Sequence, residues 1–236
     1  MMDKFEYSGE RFADLQILRY RIKGFETLPL KTKCLVYCLA KATLYGRDIT
    51  FDQFGKYNLK IRKILETIYE HYDGDKNVED YTAMMEYLKR VWFSNGIYHH
   101  YGCDKFTPSF SQHFLIQQLE HISSKGVVLP VGIQEVKEIL LPVMYSQDIL
   151  TKRVNKNYGE DLVTTSACNY YENVTQKEAE DFYNEKKTGS DKEPSWGLNT
   201  HLLKHNGVIS EVVCRYGGLY SAAVEKIIYW LEKALD

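Results

Sequence analysis

Apolar residues recur at spacings of three and four through most of the first 145 positions, the period of helices with one buried face. Ser8 reads as the cap of a first helix placing Phe12, Leu15, Leu18, Ile22 and Phe25 on one stripe. Beyond Pro29, a second helix carries Leu35, Cys38, Leu39 and Ala42. A third lines up Phe54, Tyr57, Ile61, Ile64, Leu65 and Ile68 and stops near Asp73-Gly74, and a fourth runs from about Asp80 through Tyr81, Met84, Met85, Leu88 and Val91. Shorter helices are predicted around Ser111–Ser123 and Ile133–Leu141, with Pro142 breaking the second.

After about Ser146 the texture changes. Val163–Tyr171 is rich in Thr, Val and Tyr and predicts an extended segment. Thr175-Gln-Lys-Glu178 is a capping-box pattern opening a helix that buries Ala179 and Phe182. Thr188–Ser195 reads as a surface loop. Leu198–Lys204 and Val208–Arg215 flank Asn206-Gly207, the strongest short-range hairpin signal. Gly217-Gly218 interrupts the second strand, and Ser221 caps a last helix with Val224, Ile227, Ile228, Leu231 and Leu235 in phase. That helix is either fraying at a natural terminus or the cut end of something longer. The expected fold is α+β and predominantly helical. A helical subdomain spans 1–145, and 146–236 form a mixed subdomain with a small antiparallel, barrel-like β region, a hairpin at 198–215 and a C-terminal helix.

Composition narrows the function classes. Thirty Lys and Arg against 32 Asp and Glu leave a net charge of −2, without the basic excess of a nucleic-acid binder. No apolar run approaches the roughly 20 residues that span a bilayer. The N-terminus lacks the apolar core of a signal peptide, so the expected compartment is cytoplasmic, although the doubled Met leaves an upstream leader open. Five scattered cysteines fit reduced, mostly buried thiols better than a disulfide framework.

Recognisable catalytic patterns are missing: His-Glu-x-x-His, Gly-x-Ser-x-Gly, the P-loop and Gly-x-Gly-x-x-Gly do not occur. His99, His100 and Cys103 are the one local cluster of metal-ligand types. Adjacent imidazoles diverge on either a helix or a strand, which favours ordinary loop histidines. Cys34 and Cys38, four apart on a helix, read as core. Asn173-Val174-Thr175 matches a glycosylation sequon, but Thr175 is committed to its cap. The most informative stretch is Trp92–Pro108, a polar-aromatic run broken by Gly96 and Gly102, with Asp104-Lys105 a candidate buried pair locking it to a helix.

That run, Phe93-Ser-Asn-Gly-Ile-Tyr-His-His-Tyr-Gly-Cys-Asp-Lys-Phe-Thr-Pro108, resembles the N-terminal conserved block of the dipeptidyl peptidase III family. Leu39-Ala-Lys-Ala-Thr-Leu-Tyr-Gly46 is similar to a helix end of that family. Val163-Thr-Thr through Tyr171-Glu-Asn-Val-Thr175, then Glu178-Ala179 and Phe182, is similar to a later segment, and the overall flavour is that of its Bacteroides-type branch. The resemblance implies a two-lobed zinc exopeptidase that releases dipeptides from the N-termini of short peptides. Its zinc ligands would lie on a His-Glu-x-x-Gly-His helix, or a variant one residue shorter, and a later Glu-Glu-x-x-Ala-Glu/Asp helix of the upper lobe, downstream of this chain. This chain would then supply lower-lobe scaffold and hold no cofactor of its own. The upper lobe and short peptides are the implied partners. The implied signature residues are Asn95, Gly96, Tyr98, Gly102, Asp104, Lys105, Tyr45 and Gly46, in structural roles; no catalytic or metal-binding residue is carried over. The alternative is a stand-alone peptide-binding module derived from that lobe, using the free edge of the hairpin.

Overall fold

The computed structural model describes residues 5–186, 200–214, 218 and 220–235. The chain divides into two compact units, one of Met1–Gly46 with Ala223–Asp236 and a larger one of Arg47–Ala222. The division expected near residue 145 therefore falls inside the larger unit, where Lys105 bonds to carbonyls on both sides of it.

In the smaller unit, the expected first helix is a two-stranded antiparallel hairpin, β1 (Ser8–Phe12) and β2 (Leu15–Leu18). Ala13 turns the chain with φ 48°, and Arg19 N–H donates to Tyr7 O at 2.7 Å. The three-and-four stripe is not buried along its length: Phe12 and Leu15 are half-buried, but Leu18 and Ile22 are 53% and 73% exposed. Leu-Gln-Ile-Leu instead alternates half-buried and exposed, the period of a strand. Helix α1 (Leu30–Tyr45) forms as expected, but only Ala42 on it is buried. Cys34 is exposed and Cys38 half-buried, so the core reading of that pair does not hold. Of the five free thiols only Cys214 is buried.

The larger unit carries the main core. Helices α2 (Arg47–Phe54), α3 (Asn58–His71), α4 (Glu79–Ser94) and α5 (Gln112–Ser124) bury Ile61, Ile64, Leu65, Ile68, Met84, Leu88, Val91, Leu115 and Leu119 together. The expected third helix is two, broken at Gly55, where Asn58 N–H turns back to Gly55 O at 2.9 Å. Ser111 caps α5 through its Oγ, which accepts from Phe114 N–H. Next come α6 (Ile133–Glu135), a π turn (Val136–Leu140) and α7 (Leu141–Tyr145). Pro142 does not end this helix as expected: the wider π turn precedes the ring, which lacks a donor and would crowd the preceding turn.

Between 161 and 171 the chain mostly turns rather than extends. Asp161 Oδ1 accepts from the N–H groups of Val163 and Thr164, and Oδ2 accepts from Gln176 N–H at 2.8 Å. Only β3 (Tyr171–Glu172) is extended; it pairs parallel with β4 (Thr200–His205), which pairs antiparallel with β5 (Val208–Val213). Among the described residues this is an open three-stranded mixed sheet, not a closed antiparallel barrel. The hairpin stands where Asn-Gly put it, with Asn206 and Gly207 at φ 49° and 79°. The capping box also forms: Thr175 N–H donates to Glu178 Oε2, and Glu178 N–H to Thr175 Oγ1, opening α8 (Gln176–Lys186). Thr175 is thus engaged as its sequence context required. Helix α8 lays Ala179 and half-buried Phe182 against Leu202 of β4. Helix α9 (Ser221–Leu235) carries the expected apolar positions, none of them buried. The loop expected at 188–195 and the break at Gly217 lie outside the described residues.

Candidate functional site

Trp92–Pro108 is held by turns of its own backbone and by hydrogen bonds to segments tens of residues away. Helix α4 ends at Asn95 in the left-handed region, φ 54° and ψ 39°, where asparagine is tolerated. Gly96 follows at φ 150°, its N–H donating to Val91 O at 3.0 Å. A Cβ on Gly96 would stand 2.1 Å from Asn58 Nδ2, so only glycine fits beside that side chain. Asn58 is 1% exposed and accepts from Ile97 N–H at 3.3 Å.

The chain then doubles back. Phe106 N–H donates to Ile97 O and His99 N–H to Asp104 O, bringing Tyr98 opposite Lys105. Cys103, not Gly102, takes the left-handed position at φ 64°. A Cβ on Gly102 would meet nothing closer than His99 Nδ1 at 3.4 Å. Two further segments extend this pairing. Lys105 N–H donates to Thr151 O and Arg153 N–H to Cys103 O; Ala167 N–H then donates to Lys152 O and Cys168 N–H to Arg153 O.

Tyr98 is buried and donates its hydroxyl to Leu150 O at 2.9 Å. Burial pushes its phenol well above the ordinary value. Lys105 Nζ donates to Val143 O, Ser146 O and Ile149 O at 2.9, 2.6 and 2.5 Å, an ammonium closing the C-terminal end of α7. Burial lowers its pKa, opposed by the nearby Asp148 carboxylate. The expected Asp104–Lys105 pair does not form, because neighbours on an extended segment point to opposite sides. Asp104 instead lies 3.8 Å from Lys152 Nζ on the surface, its side chain 70% exposed. Tyr45 and Gly46 belong to the smaller unit: Lys226 Nζ sits 5.3 Å over the Tyr45 ring, and Gly46 ends α1 with helical φ.

The histidines serve the turn. His99 Nδ1 accepts from Tyr101 N–H at 3.2 Å and Gly102 N–H at 2.9 Å, which puts the ring proton on Nε2. Its ring stacks on His100 with centroids 4.4 Å apart. Zinc held by protein needs three or four ligands converging at about 2.0–2.3 Å. A nitrogen already occupied by two backbone donors does not fit that need. Among the described residues no group of three or more His, Cys, Asp and Glu side chains could hold a metal.

Three residues that the sequence patterns left unmarked matter here. Asn58 stands three positions before Ile61 and seven before Leu65, on the buried stripe of α3, so its spacing carried the signal of a buried polar group. Arg153 lies 4.4 Å over the Phe54 ring and donates through Nη2 to His100 O and Cys103 Sγ, both at 3.5 Å; nothing periodic marks it. With Lys152 and Lys156 it lines an open recess of about 440 Å3 beside Tyr101 and Cys103. Asp161 organises the turn before α8. Desolvation raises its pKa, but backbone donors, Thr164 and Gln176 foremost, hold the carboxyl below its ordinary value.

No protein-family model and no curated protein sequence matches this chain. No helix among the described residues is long and apolar enough to cross a membrane.

Proposed function

We propose that this chain is the scaffold portion of a dipeptidyl peptidase III-like zinc exopeptidase, walling the peptide cleft while residues outside these 236 hold the metal. The observation that carries the reading is the resemblance at Phe93–Pro108, together with what those residues do. Asn95, Gly96, Tyr98 and Lys105 are spent on fixing backbone, which suits a scaffold role. In the whole enzyme this wall would close over short peptides by a hinge motion. The 236-residue chain itself is expected to bind no stoichiometric zinc and to release no dipeptides. The test joins this chain to the downstream sequence of its gene and measures zinc content and dipeptide release from a short peptide. A downstream region with no His-Glu-x-x-(Gly)-His helix, or dipeptide release by the chain alone, would overturn the proposal.

One feature favours a second reading, a peptide-binding module. Among the described residues β5 pairs on one side only, and Val208, Val212 and Val213 stand exposed along it. An extended peptide could add there as a further strand. Calorimetric titration of the isolated chain with short peptides separates the two readings: saturable binding supports the module, and none supports the scaffold.

A further inference from the structure

The chain contains two Asn-Gly pairs, Asn95-Gly96 and Asn206-Gly207, and the fold treats them oppositely. Both asparagines have nearly the same backbone, φ 54° and 49°. Their surroundings differ. Gly96 N–H is donated to Val91 O, Gly96 is buried, and the space beside its Cα is filled by Asn58. At the hairpin tip His205, Asn206, Gly207 and Val208 are all exposed. Apart from its own backbone and its two chain neighbours, no heavy atom lies within 4 Å of where a Cβ on Gly207 would stand. Among the described residues, the Gly207 N–H makes no hydrogen bond.

We propose that Asn206 is a self-modification site, converted by the chain's own backbone to aspartate and isoaspartate, while Asn95 is held unreactive by its packing. The reaction needs only water and a solvent base. The Gly207 backbone nitrogen gives up its proton and bonds to Asn206 Cγ, the bond from Cγ to the side-chain nitrogen breaks, and ammonia leaves. Water then opens the cyclic imide. Opening at Cγ yields an aspartyl residue; opening at the main-chain carbonyl yields an isoaspartyl residue. No electron transfer is involved.

Glycine is what makes the nitrogen accessible, since no side chain shields it. Ring closure requires the chain to rotate until that nitrogen reaches Cγ, so the rate follows the free energy of local opening. At the tip, opening releases one turn closed by the His205–Val208 pair. At Asn95 it breaks the bond to Val91 O and disturbs buried Ile97, Tyr98 and Asn58. A difference of about 2.7 kcal/mol in opening corresponds to about 100-fold in rate.

The change matters to the sheet. Every pair from His205–Val208 to Thr200–Val213 takes its register from this two-residue turn. An isoaspartyl link adds a carbon to the main chain there and places a carboxylate beside His205.

The test holds the purified 236-residue chain in mildly alkaline buffer. Both sites are followed by peptide mapping with mass spectrometry and by methyl transfer from an isoaspartyl O-methyltransferase, with a urea-unfolded sample in parallel. In urea the two sites should react at similar rates. In the folded chain Asn206 should react about 100-fold faster than Asn95. A folded-state ratio below about tenfold, or an Asn206 that stays intact while the unfolded sample reacts, overturns the proposal.

Discussion

Gly96→Ala should be among the most damaging single changes in the larger unit, and the structure gives its size. A Cβ at this position would lie 2.1 Å from Asn58 Nδ2 and 2.6 Å from Asn58 Cγ, too close for either residue to stay. The backbone adds its own term, since φ 150° is rarely adopted by a residue with a side chain; holding one there costs about 1–3 kcal/mol. Pushing Asn58 aside breaks its bond from Ile97 N–H and leaves a buried donor unpaired, about 1–3 kcal/mol more. The central expectation is a loss of about 4 kcal/mol, a large share of the roughly 5–15 kcal/mol that holds a domain together. For a body of this size that lowers Tm by about 8–16 °C. Urea unfolding followed by circular dichroism measures it. Asn58→Ala in the same background removes the collision and leaves the φ term, so the two substitutions should couple by about 1–3 kcal/mol. Gly102→Ala is the control. Nothing approaches that position closer than 3.4 Å, and its change should stay within about 0.5 kcal/mol. A Gly96→Ala loss under about 1 kcal/mol, or a coupling near zero, refutes the reasoning.

Three further outcomes follow from the same geometry. Lys105→Met removes one ammonium from three carbonyls and should destabilise by about 2–4 kcal/mol, read by thermal melting; a neutral result would mean that those carbonyls find water at no cost. Tyr98→Phe should lose about 1 kcal/mol, the worth of one hydroxyl bond to Leu150 O, with no change in secondary structure by circular dichroism. The Lys204 ammonium, with Thr175 N–H, holds the Glu178 carboxyl at about 2 against an ordinary 4.5. Folding therefore opposes its protonation, so its stabilising share is full above about pH 4.5 and is lost as the pH falls toward 2. Glu178→Gln should be less stable than the wild type at neutral pH and should converge on it near pH 2; stability curves parallel over that range would contradict the assignment.

The sequence pattern was readable where local chemistry and packing agreed. The stripes of α3 and α4 are buried as their period requires, and the Thr175–Glu178 box and the Asn206-Gly207 turn formed from residues a few positions apart. It misled where a helical period competed with a strand period. Phe12, Leu15, Leu18 and Ile22 keep helical spacing, yet Leu18 and Ile22 stay exposed and Leu-Gln-Ile-Leu alternates as a strand, so the chain folds into a hairpin. Pro142 signalled a stop that a π turn absorbs. In the loop, Asn95, Gly96, Tyr98 and Lys105 stood out by residue type and motif, but their partners did not. Asn58, Val143, Ser146 and Leu150 lie tens of residues away, and no local rule pairs them. Asp104 and Lys105 invited pairing because they are adjacent, and adjacency on an extended segment is what separates them.

Lys105 also changes how the intervening chain behaves as a strand of matter. One side chain clasps Val143, Ser146 and Ile149, and Tyr145 and Gln147 bond back to Phe110 and Thr107, so the excursion through α5, α6 and α7 is closed at its base. Val128, 91% exposed on the connection between α5 and α6, offers a place to cut it. A protease nick there would leave two pieces already stapled at their base and sharing one core, so they should travel together through a sizing column until denaturant pulls them apart.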